Sequence, residues 1–299
     1  MTTFYSNGKL LLTGEYLVMD GAKGLAIPTQ FGQSMTVEPS DFDGIIWKSY
    51  DEDGSLWFEA QFSSEEIKAA SESKDIRERL AFVLHHAFEM HGSVEPAGYQ
   101  IETRLTFPRN WGLGSSSTLI CNLAKWLDID AFGLQEKTFG GSGYDIACGL
   151  HDHPILFRRE YKNPVTWEAE FNPPFADNIY FVYLNQKQDT RAAIETYRQQ
   201  PASDISYKIA EIDAITEEIL DASDLTTFQS AIERHEEIMS GVLGIKPVQE
   251  KLFSDFPGSI KSLGGWGGDF IMAASESDPA DYFKTKGYPI VIRYRDMIK

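Results

Sequence analysis

The chain has 299 residues, 42% of them hydrophobic, and a formal net charge of −18. That length holds one large domain or two medium ones, and the composition is that of a globular protein. A surface so acidic repels phosphate backbones, which excludes nucleic acid and anionic membrane as partners.

Strand-like runs come first: Leu10–Leu12, Leu17–Met19, Ser34–Val37, Ile45–Trp47 and Leu56–Phe62. Leu80, Val83, Leu84, Ala87 and Phe88 then share one face of a helix. Gly98–Phe107 reads as a strand leading into the run Trp111-Gly-Leu-Gly-Ser-Ser-Ser-Thr118. Beyond it Leu119, Ile120, Leu123, Ala124 and Leu127 form a helical stripe, so the run lies at a helix N-terminus. Short strands are predicted at Ile155–Phe157 and Ile179–Leu184. A helix is expected to start near Thr190, another carries Ile205, Ile209, Ile212 and Ile219, and a third carries Phe228, Ile232, His235, Met239 and Val242. Strands at Phe270–Ala273 and Pro289–Arg293 close the chain. This order predicts an α+β protein of two lobes, 1–165 and 166–299, divided where Asn163-Pro164 and Asn172-Pro-Pro174 break regular structure. No apolar run reaches the roughly 20 residues of a membrane span. The N-terminus lacks a secretory pattern, so the cytoplasm is expected. Cys121 and Cys148 lie in apolar segments without a CxxC motif, which argues against structural zinc or a disulfide framework.

Four polar constellations stand out. Lys9 alternates with apolar residues at the start of a strand and can face a cleft or solvent. Gly112, Leu113, Gly114, Ser115, Ser116 and Ser117 combine close backbone approach, free helix N–H groups and hydroxyls that suit a hard cation. The same run also suits a serine-capped turn. No Gly-Lys-Ser/Thr ends it and no G-x-G-x-x-G is present, so it is neither of the common nucleotide fingerprints. Asp145 follows the Gly140-Gly-Ser-Gly143 turn as a helix cap or as a base that orients a hydroxyl. Gly264, Gly265, Gly267 and Gly268 form a second glycine loop, ligand-facing or a tight hairpin. His235 falls on an apolar stripe and reads as a core histidine, and His151 and His153 as loop residues.

In their order these motifs resemble those of the GHMP small-molecule kinases, and most those of phosphomevalonate and mevalonate kinases. The likeness spans nearly the whole chain: Gly8-Lys9-Leu-Leu-Leu-Thr-Gly-Glu-Tyr16, the Gly112–Ser117 loop, Gly141-Ser-Gly-Tyr-Asp-Ile-Ala147, Leu243-Gly-Ile-Lys-Pro247 and the late glycine loop. The resemblance implies an N-terminal lobe like domain 2 of ribosomal protein S5 and a ferredoxin-like C-terminal lobe. It implies ATP with its phosphates over Gly112–Ser117, Mg²⁺ on Ser116, Asp145 and Lys9 in catalysis, and the 264–268 glycines lining the ligand. Glu136 is the nearest candidate for a second metal ligand. Asn7 stands where the family has proline, Tyr16 matches the phosphomevalonate pattern, and Trp266 replaces a small residue and is expected to narrow the cleft. The implied partner is a small anionic or polyol substrate, and a homodimer is allowed. Arg104, Arg109, Lys187, Arg191 and Lys261 are the cations on hand for a phosphorylated acceptor. Another acceptor, such as homoserine or a sugar, or an inactive binding protein of the same fold, are the competing readings.

Overall fold

The computed structural model describes residues 1–92, 95–161, 163–186, 197–199, 202–266 and 268–299. The chain divides into two compact units, each discontinuous in sequence. Unit 1 comprises Met1–Gly8, Phe31–Arg109 and Leu113–Leu150; unit 2 comprises Lys9–Gln30, Asn110–Gly112 and His151–Lys299. Strands β1 (Thr2–Leu11) and β2 (Gly24–Pro39) contribute residues to both.

In unit 1, β3 (Gly44–Tyr50) pairs antiparallel with β4 (Leu56–Ser63) and parallel with β5 (Tyr99–Leu105), which pairs antiparallel with the C-terminal half of β2. The sheet buries one face: Ile45, Trp47 and Phe62 lie inside, and so does Ile101 on β5. Helices α1 (Ser64–Lys68), α2 (Ile76–His91), α3 (Ser115–Leu127), α4 (Ala131–Thr138) and α5 (Tyr144–Leu150) complete the unit. The predicted stripe of α2 is the buried one, capped by Asp75 at its start and by Gly92 in the left-handed region at its end. Ile120, Leu123 and Leu127 of α3 join the same core, each worth about 1.5–3 kcal/mol of burial.

In unit 2, Gly24–Ala26 of β2 pair with β6 (Ile155–Glu160), and β6 pairs with β7 (Asn163–Glu168). A second antiparallel sheet has the order β11-β8-β10-β9, from β8 (Ile179–Tyr183), β9 (Ser259–Ser262), β10 (Phe270–Ala274) and β11 (Val291–Arg293). Every residue of β8 and β10 is buried, as their unbroken apolar runs require. The long helices are α6 (Ala202–Asp221) and α7 (Leu225–Leu243), followed by the short α8 (Val248–Leu252), α9 (Ala280–Thr285) and α10 (Tyr294–Met297). Among the described residues no helix is long and apolar enough to cross a membrane. The α+β class is the expected one.

Two local expectations give way. Leu17–Met19 is not a strand but part of a 3₁₀ turn, Leu17–Asp20. Positive φ at Gly14, Tyr16 and Gly21 bends the chain too tightly for a strand. Asn163-Pro164 does not break structure but opens β7, which lies at the end of its sheet order. Proline is tolerated on an edge strand because no ladder partner needs its missing N–H. The helix expected near Thr190 lies outside the described residues.

Candidate functional site

Unit 1 holds the serine half of the glycine-serine loop. Gly114 occupies the cap position of α3 with φ 93° and ψ 49°, and no side chain caps the helix. The first-turn N–H groups at the positive end of the helix dipole are therefore not capped by a side chain. The serines divide by role. Ser117 Oγ turns back to the Gly114 carbonyl at 2.9 Å, as Thr118 Oγ1 does to the Ser115 carbonyl at 3.0 Å. Ser115 and the exposed Ser116 instead line a cavity of about 250 Å³. Trp47, Trp57, Phe58, Leu80, Leu119 and Phe139 give that cavity apolar walls, and Lys74, Arg79 and Arg109 stand at its border. The Arg109 guanidinium lies over the Trp57 ring at 4.4 Å and is anchored to Asp51 at 2.7 Å. The Trp57 indole N–H is buried in the cavity wall without a hydrogen-bond partner among the described residues.

Asp145 falls in the first turn of α5, inside the helix and not at its cap. Its Oδ1 accepts a 2.9 Å hydrogen bond from Gln135 Nε2 on α4. Glu136, the expected metal ligand, is exposed on α4 and belongs to no cluster of three metal-ligating groups among the described residues. Helix phase gives Gln135, its buried neighbour, the contact with Asp145. Cys121 is buried nearby, and desolvation pushes its thiol up to about 12, so it stays an inert core residue.

Unit 2 holds the other half. Lys9 Nζ donates to the Gly112 carbonyl at 3.1 Å. Gly112 has φ 66°, and a Cβ there would fall 2.0 Å from Asp269 Oδ2. Glycine is required at this position because a carboxylate occupies the space of its side chain. Asp269, last residue of the Gly-Gly-Trp-Gly-Gly-Asp run, is the residue that motif counting passed over. Its backbone carbonyl accepts from Leu184 N at 2.8 Å, which ties the second glycine loop to the end of β8. Gly264 is exposed with φ 60°, the Gly265 carbonyl accepts from Tyr16 Oη at 3.4 Å, and the Gly268 carbonyl accepts from Gln186 N at 3.2 Å. Gly267 lies outside the described residues. Trp266 narrows no opening: it is 2% exposed and packs into the core with Leu17, Ala22 and Met239.

Behind that loop is a buried ionic cluster. Lys261 Nζ donates to Glu15 Oε1 at 2.5 Å and lies 3.7 Å from Glu236 Oε1. Ser262 Oγ donates to Glu236 Oε2 at 2.7 Å. Desolvation raises the Glu15 carboxyl against the pull of Lys261, and lifts Glu236 to about 7. His235 accepts the Gly14 N–H at its Nε2, 3.2 Å away. Burial, helped by Lys261, holds the ring well below its ordinary range. Its 3.3 Å approach to Glu15 is therefore a contact of a neutral ring and not an ion pair.

This cluster corrects the list of acceptor cations. Lys261 is fully buried and committed to Glu15. Arg104 is paired with Glu102 and stacked on Tyr50, and Arg109 is paired with Asp51. Lys187 and Arg191 lie outside the described residues.

No protein-family model and no curated protein matches the chain in sequence. Solved structures match it in fold. A Methanococcus jannaschii mevalonate kinase is similar with a TM-score of 0.75 at 14% identity, over 100% of this chain and 98% of that one. Another mevalonate kinase gives 0.76 at 15% identity over 100% of both chains. The Streptococcus pneumoniae phosphomevalonate kinase in complex with phosphomevalonate and AMPPNP gives 0.72 at 14% identity, over 98% of this chain and 100% of that one. The fold is that of the GHMP kinases, as the motif order implies.

Proposed function

We propose that this chain is an ATP-dependent small-molecule kinase. The acceptor in this reading is the hydroxyl or phosphate of a small acid, mevalonate or phosphomevalonate, in isoprenoid precursor synthesis. One observation carries the reading: an uncapped, glycine-led helix N-terminus whose Ser115 and Ser116 open onto an aromatic-walled cavity. Mevalonate and phosphomevalonate kinases among the similar folds favour these acceptors, and the AMPPNP complex favours ATP as donor.

In this reading the base of ATP takes the cavity, where the Trp57 N–H meets a ring nitrogen and Phe58 and Phe139 supply apolar contact. The N–H groups of the first turn of α3 hold the phosphates. The loop glycines bring the backbone close to them, and Ser117 fixes the turn by its bond to Gly114. The residues fit a magnesium ion. Ser116 offers an exposed hydroxyl beside the phosphate site, and Mg²⁺ keeps several waters and takes few protein ligands. When bound, such an ion would neutralise negative charge on the phosphates. Lys9, held on the Gly112 carbonyl, adds positive charge beside the same loop. Asp145 orients an acceptor hydroxyl or accepts its proton. Gln135 fixes the direction of the Asp145 carboxylate without adding charge.

A coupled ADP-release assay with Mg·ATP across mevalonate, phosphomevalonate, homoserine and galactose tests this. Turnover with either of the first two is expected. Turnover only with homoserine or galactose keeps the kinase and replaces the acceptor. No turnover, with thermal stabilisation by Mg·ATP, makes the chain a nucleotide-binding protein, and neither response overturns both readings.

A further inference from the structure

Away from the residues above, α2 gathers three metal-ligating side chains on one surface of unit 1. Successive residues of a helix are about 100° apart. Measured from His85, His86 lies about 100° round and Glu89 about 40° round, one turn further on. The carboxylate is therefore flanked by both imidazoles. One donor atom from each residue lies within 4.8 Å of the other two. His86 Nδ1 and Glu89 Oε2 are already 3.1 Å apart. The two imidazole centroids are 5.0 Å apart, and Phe82 braces the His86 ring edge-on at 4.6 Å.

We propose that His85, His86 and Glu89 form a binding site for a divalent transition-metal ion, of which Zn²⁺ is the best fit. Two imidazole nitrogens and one carboxylate oxygen select zinc, nickel, cobalt or copper over magnesium and calcium, which take oxygen ligands. Tetrahedral coordination with bonds of about 2.1 Å needs donors about 3.4 Å apart. The pair at 3.1 Å is close to that spacing, and rotation about the side-chain bonds of His85 brings in the third donor. Glu89 is the exposed member, so the ion enters from solvent and water fills its open positions. Lys137 Nζ on α4 stands 3.6 Å from Glu89 and is the competitor the ion displaces.

Zinc titration of the full chain by isothermal calorimetry tests the site, and Co²⁺ absorption reports its ligands. One Zn²⁺ per chain is expected. H85A, H86A and E89Q should each weaken binding by about tenfold or more. K137A should strengthen it, since the ion pair no longer competes. Co²⁺ should give a ligand-field band that is lost in H85A. E89Q alters an exposed side chain, so its folding is not at issue, and far-UV dichroism checks the histidine variants. Absence of stoichiometric zinc binding to the unaltered chain, or affinities unchanged in E89Q and H85A, would overturn the proposal. Neither outcome depends on whether the chain is a kinase.

Discussion

The buried cluster around Lys261 gives the sharpest quantitative expectation. Lys261→Met keeps the length of the side chain and removes the cation that lies 2.5 Å from Glu15 and 3.7 Å from Glu236. Both carboxylates are almost fully buried, so without the lysine they enter the folded state as neutral acids. Protonating a glutamate with an unfolded pKa of about 4.3 costs about 5 kcal/mol at pH 8 and about 1 kcal/mol at pH 5. Glu236 already bears part of that cost, because its folded pKa is raised to about 7. Such an acid keeps its proton in the native state where the unfolded chain has released it. Its contribution therefore favours folding on the acid side and is lost as pH rises from the unfolded value through about 7. The expected destabilisation by Lys261→Met is about 3–5 kcal/mol at pH 8, shrinking to about 1 kcal/mol near pH 5. Urea unfolding at both pH values, followed by tryptophan fluorescence, measures it. Adding E15Q and E236Q to the lysine variant should recover most of the loss at pH 8, since no charge is then buried. A loss equal at the two pH values would refute the electrostatic reasoning and leave only packing.

Four further expectations concern the candidate site. Gly112→Ala sets a Cβ 2.0 Å from Asp269 Oδ2 on a backbone with φ 66°. Left-handed strain and a displaced aspartate together cost about 2–3 kcal/mol, and D269G should relieve the aspartate's share in a double-mutant cycle. Asp145→Asn should lower kcat by about 10²- to 10⁴-fold with ATP affinity retained. Gln135→Met, which keeps the shape but not the donor, should lower kcat and spare the Kd of ATP; a change in ATP affinity alone would detach Gln135 from Asp145. Ser116→Ala should raise the Mg²⁺ concentration needed for half-maximal rate, and an unchanged magnesium titration would remove Ser116 as a ligand.

What the sequence disclosed and what it hid divide along one physical line. Periodicity is local, so α2, α3 and α7 were legible from the residues that now form their buried stripes. The glycine-serine run was legible as a helix start because the stripe begins immediately after it. The choice among its hydroxyls was not, since all three serines look alike until Ser117 is seen to bond back to Gly114. Partners distant in sequence were beyond reach. Lys261 reads as a surface cation by residue type, yet its partner Glu15 is 246 positions away. Asp269 acquires meaning only from the space that Gly112 leaves empty. Glu136 drew attention because a carboxylate suits a metal, while the neutral residue before it reaches Asp145. Residue type predicts what a side chain can do, and helix phase decides which side chain has the opportunity. A single amide facing Asp145 directs that carboxylate, whereas a glutamate at 135 would repel it unless a cation stood between them. In the proposed reaction the glutamine therefore fixes the direction of the Asp145 carboxylate without adding a charge beside it.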